Sequence, residues 1–245
     1  MHDWQMSSQQ CEVGLNESYS PTAGSVINWH AVWTSVAADL NSDTFAPKFL
    51  TEDGIRRTTL RALNSQLDVL RHVEIEYPSV NLSGDKLGRL DLVVSPMASA
   101  TVIEFKYPRE PRQKLPPWPD HLGGVLSDTY RLGILAAGPK VHYCIQVVVS
   151  ADAFLGYVRR TMTRCALATY IAGEQTPREI ALTPERTVGL ADTTRRSLKD
   201  RDRFWRVTAD RSVELAIGNK GLWLSAYAVT AKGSLPQPVN NENSQ

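Results

Sequence analysis

Two neighbouring apolar segments of the sequence carry charged residues at positions where they could do chemistry. The segment "RLDLVVS" contains Asp91 within an apolar run, and the segment "TVIEFKY" contains Glu104 and Lys106 two positions apart. A charged side chain in a β-segment is costly unless it faces water, has a partner of opposite charge or binds a metal. The function of the chain depends on which of these conditions applies.

The residue types point to metal-assisted chemistry on a phosphate. Residues two apart on a strand share a face, so Glu104 and Lys106 point the same way, and pairing of the two segments would bring Asp91 beside Glu104. Adjacent carboxylates repel each other unless a cation lies between them, and Mg²⁺ is typically held by one or two carboxylates with water and phosphate oxygens. A lysine beside such an ion can orient or deprotonate the attacking water and offset phosphate charge. Taken in isolation, a Glu-x-Lys pair is most simply a solvated strand face.

The surrounding periodicity predicts the elements that would position these residues. Apolar spacings of three and four predict a first helix over "VINWHAVWTSVAADL", with Ser25 as its cap, and a second helix from Thr51 to His72. The segments "VEIEYPSVNL", "RLDLVVS" and "TVIEFKY" predict three strands with short links, hence an antiparallel meander. A helix capped by Asp120, a β-branched central strand over "KVHYCIQVVVS" and a helix over residues 152–172 follow.

These patterns divide the chain into four regions. Residues 1–47 are predicted to form an N-terminal arm and helix, and residues 48–172 a core. Residues 173–236 are a C-terminal extension packed on the core, with strand-like stretches "FWRVTAD", "SVELAIG" and "LWLSAYAVT". Residues 237–245 form a polar tail that is predicted to be disordered.

Composition bounds the class of protein. A length of 245 residues, of which 42% are hydrophobic and 22% charged, favours one globular domain with elaborations. The net charge of +1 argues against a protein that simply coats nucleic acid, which would need a broad basic surface. The three cysteines are scattered and predict neither a zinc site nor a disulfide framework, and Cys144 lies in an apolar run typical of a buried thiol. No signal-peptide pattern or membrane-length apolar run occurs, so we expect a soluble, cytoplasmic protein without a membrane partner.

An Asp followed by Glu-x-Lys on the next strand, in this order of elements, resembles the PD-(D/E)xK nuclease superfamily. The match is "RLD" at Asp91 and "IEFK" with Glu104 and Lys106, and the resemblance covers residues 48–172. It implies an α/β, restriction-endonuclease-like core, with a mixed central sheet that contains the three-strand meander and is flanked by helices. It also implies that Mg²⁺, for which Mn²⁺ can substitute, is held by Asp91, Glu104 and Phe105, with Lys106 assisting the water.

The sequence departs from the family pattern at the residue before the first acid. It also offers two candidates for the additional acid that many members carry on the first core helix. Leu90 stands where the family often has proline. Many members add an acid from the first core helix, for which Glu52 is the catalytic candidate and Asp53 the reserve. An acid at a helix start also interacts favourably with the helix dipole, which is the alternative for Glu52.

The resemblance implies a metal-dependent DNA endonuclease of restriction or antiviral-defence type. The basic loop after the third strand supplies Arg109, Arg112 and Lys114 as DNA-binding candidates, with a solvated loop as the alternative. The following helix offers Asp128 and Arg131, the latter as a further DNA contact.

An enzyme that cuts both DNA strands commonly pairs two active sites, which favours a homodimer. No protein partner is identified. A catalytically inactive nuclease-like fold that binds nucleic acid or assembles with other subunits is the main rival. A DNA repair or structure-specific nuclease is the next.

Overall fold

The computed structural model gives an α/β architecture in which a seven-stranded mixed sheet is packed between helices. The described residues are 27–42, 50–65, 73–79, 88–95, 100–109, 118–164, 178–181, 206–218 and 221–232. The helices are α1 (Trp29–Asn41), α2 (Glu52–Asn64), α3 (Trp118–Ala136) and α4 (Asp152–Arg164). The strands are β1 (Val73–Pro78), β2 (Arg89–Val94), β3 (Ala100–Lys106), β4 (Val141–Ala151), β5 (Arg178–Ala181), β6 (Arg206–Ala216) and β7 (Leu222–Lys232).

The sheet joins the predicted meander to the C-terminal strands in the order β1-β2-β3-β4-β7-β6-β5. Strands β1, β2 and β3 pair antiparallel, which confirms the meander, and β4 lies parallel to β3 because α3 carries the chain back to the same end. Strand β7 pairs antiparallel with the other edge of β4, and β6 and β5 follow outward. The predicted central position of β4 is therefore confirmed, and the C-terminal strands continue its sheet.

The helix starts differ in detail from the sequence-based expectation. Asn28 caps α1 by accepting a hydrogen bond from the Ala31 N–H at 3.1 Å, so the prediction of Ser25 as the cap was wrong. Thr51 caps α2, where its hydroxyl accepts from the Gly54 N–H at 3.0 Å. Asp120 lies in the first turn of α3 and does not cap it, because that helix begins at Trp118.

Two helix predictions run beyond the part of the chain that the structure describes. Helix α2 was predicted to reach His72 and is described as Glu52–Asn64, and the helix predicted over 152–172 is described as Asp152–Arg164. Residues 66–72 and 165–172 lie outside the described ranges. The short strand β5 was not predicted.

Each face of the sheet is covered by its own pair of helices. Helices α1 and α2 bury Trp33, Ile55 and Leu63 against one face, together with apolar residues of β2, β3, β4 and β7. Helices α3 and α4 cover the other face, where Cys144 is buried as expected. Each large apolar side chain buried in this way contributes roughly 1.5–3 kcal/mol relative to an exposed one. None of the helices described is long and apolar enough to cross a membrane.

Candidate functional site

The regular pairing of β2 with β3 ends where the predicted acids meet. The ladder includes Leu92 opposite Ile103, and the next position along it would set Asp91 opposite Glu104. The ladder between the two strands ends before that position, and the Phe105 N–H donates to the Asp91 side chain, at Oδ2, over 2.8 Å. The sequence-based expectation that Asp91 lies beside Glu104 therefore agrees with the register, and one oxygen of Asp91 is fixed by the backbone of β3.

Pairing between β1 and β2 is interrupted at the same level. Ile75 pairs with Leu92 and Tyr77 pairs with Leu90, but Glu76, which lies between them, has a φ of 54° and does not join the ladder opposite Asp91. A positive φ is disfavoured for a residue with a side chain. Asp91 is thus exposed to side-chain contacts on both edges of its strand.

Glu104 is buried and has only one of its oxygens compensated by a described partner. Its side chain is 1% exposed, and Oε2 lies 2.5 Å from Arg131 Nη2 on α3. The other oxygen, Oε1, is buried with no hydrogen-bond partner among the residues that the structure describes. Burial raises the pKa of Glu104 well above its ordinary range, Asp128 and Asp91 add to that effect, and Arg131 and Lys106 oppose it.

Lys106 is held as a protonated cation at the mouth of the site. Its Nζ lies 2.6 Å from Asp128 Oδ2 and 3.3 Å from the Phe105 carbonyl oxygen, to which it donates. Its stem lies against α3, where a Cβ added to Gly124 would be 3.5 Å from Lys106 Cε. Burial lowers the pKa of Lys106, but Asp128 and Glu52 outweigh burial and raise that pKa above its ordinary value. The ammonium therefore remains charged at neutral pH.

Helix α2 brings one acid to the end of β3. Glu52 Oε1 accepts from the Tyr107 N–H at 3.2 Å, so the candidate first-helix acid does reach the site. The reserve candidate, Asp53, instead pairs with Arg56 and Arg57, at 3.3 and 2.8 Å. Glu52 rather than Asp53 is thus the acid that α2 contributes.

Arg56 is a residue of the site that sequence reasoning missed. Its Nη1 lies 2.7 Å from Glu76 Oε1 and 3.9 Å from Asp91 Oδ1. Because Arg56 follows Glu52 by four residues, the two share a face of α2. That spacing was the available signal.

Two of the residues expected to bind DNA have their guanidinium groups engaged within the protein. Arg109 donates to the Leu50 carbonyl oxygen at 2.8 Å and lies 5.5 Å from the centre of the Tyr107 ring. Arg131 contacts both Glu104 and Asp128, and its side chain is 13% exposed. The other two candidates, Arg112 and Lys114, lie outside the described residues.

The polar groups at the end of β3 are oxygen donors, the kind of ligand that hard divalent cations prefer. Within the described ranges no group of three or more His, Cys, Asp or Glu side chains is arranged to hold a metal. The strand register sets two carboxylates, Asp91 and Glu104, beside each other, and the backbone carbonyl of Phe105 follows Glu104 on β3. Oxygen donors in this number, completed by water and phosphate, are what Mg²⁺ takes. Oε1 of Glu104 is an oxygen donor that is buried with no hydrogen-bond partner among the described residues, and such a group requires an explanation.

Comparison with known proteins adds no neighbour: no family model matches the chain, and no curated protein or solved structure is significantly similar to it.

Proposed function

We propose that this chain is a metal-dependent nuclease with a restriction-endonuclease-like core, and that it hydrolyses phosphodiester bonds in DNA. The observation that carries the proposal is the arrangement at the end of β3. Asp91 and Glu104 each have one oxygen fixed by an N–H donor, and Glu104 keeps a second, buried oxygen without a hydrogen-bond partner among the described residues. A charged lysine lies beside them.

Asp91, Glu104 and the Phe105 carbonyl would hold a Mg²⁺ or Mn²⁺ ion. When bound, the ion supplies Lewis-acid chemistry, lowering the pKa of a water and stabilising charge on the phosphate. The electrostatic balance of the site favours a cation: Glu104 interacts with two other carboxylates, Asp91 and Asp128, and with two cations, Lys106 and Arg131. A dication would offset the repulsion among these three carboxyl groups, which lie in a largely buried place.

Lys106 acts in this proposal by orienting water and compensating phosphate charge. A lysine whose pKa is raised by a neighbouring carboxylate does not accept a proton at neutral pH, so Lys106 is not the general base. Its ammonium can instead donate hydrogen bonds to the attacking water or to a phosphate oxygen. Asp128 keeps that ammonium at the side of the carboxylates.

The ion pairs also favour one alternative, a nuclease-like fold without activity. Arg131 at Glu104 and Lys106 at Asp128 partly neutralise the acids without any metal. In a protein that serves as a binding or assembly subunit, these charged residues would only form ion pairs that stabilise the fold. The Oε1 atom of Glu104, which has no hydrogen-bond partner among the described residues, favours the enzyme.

Cleavage assays test the proposal directly. Supercoiled plasmid, linear duplex and single-stranded DNA would be incubated with the protein in Mg²⁺, Mn²⁺ or EDTA, with Glu104→Gln as the inactive comparison. We expect wild-type cleavage with either metal and none in EDTA, and none from the variant. Cleavage that persists in EDTA, or an equally active Glu104→Gln protein, would contradict a metal site at Glu104. An inactive wild type that still binds DNA would favour the alternative.

A further inference from the structure

Arg131 links helix α3 to the buried end of Glu104. Its Nη2 lies 2.5 Å from Glu104 Oε2 and 3.2 Å from Asp128 Oδ1. Arg131 and Asp128 are three residues apart, so one face of α3 presents both charges toward β3. Asp128 uses its other oxygen for Lys106, at 2.6 Å. The Asp128 carboxylate thus holds two cations. One is Lys106, the lysine of the Glu-x-Lys motif, and the other is Arg131, which contacts the glutamate of that motif.

Two roles for Arg131 make opposite predictions about a metal. If Arg131 were only a resident counter-ion, it would compete with a divalent cation, and its removal would tighten metal binding. If it fixes the carboxylate, its removal would loosen the ligand and weaken binding. The contact geometry favours the second role, because Arg131 engages Oε2 while Oε1 has no hydrogen-bond partner in the part of the chain that the structure describes.

Asp91 supports this interpretation, because it is held in the same way. Its Oδ2 accepts from the Phe105 N–H at 2.8 Å, while its Oδ1 has a more distant neighbour, Arg56 Nη1, at 3.9 Å. In each of the two carboxylates one oxygen is anchored by a donor at hydrogen-bond distance, which leaves the other for a ligand. Donors that anchor a ligating carboxylate orient it, and their loss commonly weakens metal binding.

We propose that Arg131 is a positioning residue for a divalent cation at Glu104, held in place by Asp128. This inference rests on the proposed metal site. It gives Arg131 a role inside the site, where the sequence had suggested a contact with DNA. The guanidinium suits the role because it is planar and always charged, and it can serve two carboxylates at once.

Mn²⁺ binding in the absence of DNA tests the inference without requiring activity. Free Mn²⁺ would be counted by electron paramagnetic resonance during titration of wild type, Arg131→Met and the control Arg57→Met. We expect Arg131→Met to lose affinity about 10–100-fold. The control removes the same charge from Arg57, whose side chain is 72% exposed and pairs with Asp53, and the affinity of this variant should stay within about twofold of wild type, because solvent screens such pairs.

A second variant keeps the test decisive if Arg131→Met does not fold, as circular dichroism would reveal. Arg131→Lys leaves Glu104 compensated, but a single ammonium holds the two carboxylates less rigidly, so we expect roughly a threefold to tenfold loss of Mn²⁺ affinity. Unchanged or tighter binding in the folded variants would overturn the positioning role and leave the metal site intact. A wild-type protein that binds no Mn²⁺ would overturn both.

Discussion

Glu104 and Lys106 lie two positions apart on one face of β3, yet their surroundings favour the neutral form of the glutamate and the charged form of the lysine. Burial and Asp128 raise the pKa of Glu104, so the metal-free site favours its neutral form. The same Asp128 raises the pKa of Lys106 against the effect of burial. A dication would reverse the first effect by cancelling the repulsion between carboxylates, while the lysine stays charged with or without metal.

Replacing Lys106 separates its role on substrate from any role on the metal. Lys106→Met should lower the rate of DNA cleavage about 10²–10³-fold, because a preorganised cation is lost from the reacting phosphate or water. Mn²⁺ affinity should change little by comparison, since Lys106 is not a ligand. The control Lys140→Met removes an exposed lysine from the turn before β4 and should cleave like wild type. A fully active Lys106→Met protein would mean that the motif had been misinterpreted.

The raised pKa of Glu104 also predicts how stability depends on pH. A carboxyl group with a raised pKa in the folded state holds its proton more tightly there, so its contribution to stability is present at low pH. That contribution is lost as the pH rises from the unfolded value, about 4.3, toward the raised folded value. In EDTA, Glu104→Gln should therefore lose less stability over this window and melt no lower than wild type at neutral pH.

Adding Mn²⁺ should reverse the order of the two proteins. A ligand that binds only the folded state stabilises it by about 2.7 kcal/mol at a hundredfold excess over its Kd, and Glu104→Gln should lose most of that gain. Glu74→Gln, at an exposed position of β1, is the matched control and should behave like wild type in both conditions. Equal Mn²⁺ gains in wild type and Glu104→Gln, measured by thermal melting, would exclude Glu104 as a ligand.

At the scale of elements, the segment that enters α2 and the end of β3 are joined by Arg109. Its guanidinium holds the Leu50 carbonyl and stacks over Tyr107. Arg109→Ala should lower the free energy of unfolding in urea by about 1.5–3 kcal/mol, the range for a hydrogen bond to a charged group. The exposed Arg57→Ala should cost well under about 1 kcal/mol. Unchanged stability with weaker DNA binding would return Arg109 to the DNA-contacting role that the sequence suggested.

Much of this arrangement could be predicted because it depends on local periodicity. The alternation of β2 and β3, with a short link between them, was enough to bring Asp91 next to Glu104 and to orient Lys106 on the same face. The cap of α1 was mispredicted because several polar residues precede that helix, and Asn28 rather than Ser25 meets its N–H groups. Strand β5 has four residues in a polar stretch, and its only signal is the pairing with β6.

The contacts that complete the site could not be predicted because they depend on how α3 is docked. A buried amide, Gln146, lies next to Glu104 across the β3–β4 pair and accepts from the Thr129 hydroxyl at 2.5 Å. Its Nε2 donates to the Val125 carbonyl oxygen at 2.8 Å. These bonds fix the position of α3 on the sheet, and with it the reach of Asp128 and Arg131. No spacing in the sequence indicates that a glutamine on one strand sets the contacts of a helix.

For the whole molecule, the sheet ties the predicted core to the C-terminal region. Strand β4 is paired with β7 from Cys144 to Ala151, and Tyr227 and Val229 of β7 pack in the same apolar cluster as α3. A chain ending after residue 172 would expose the edge of β4 that pairs with β7, together with the apolar side chains that pack with Tyr227 and Val229. Unpaired apolar edges of this kind promote aggregation.

Truncation tests how far the active core depends on that pairing. A chain of residues 1–172 should be insoluble or lack a cooperative melting transition, although it keeps Asp91, Glu104 and Lys106, because β4 loses its partner along eight residue pairs. A chain of residues 1–236 removes the polar tail and keeps β7, and it should melt and cleave like the full chain. Size-exclusion chromatography and thermal melting report the outcome. A monomeric, cooperatively folded 1–172 chain would mean that the core is an independent domain and that β5–β7 serve another purpose.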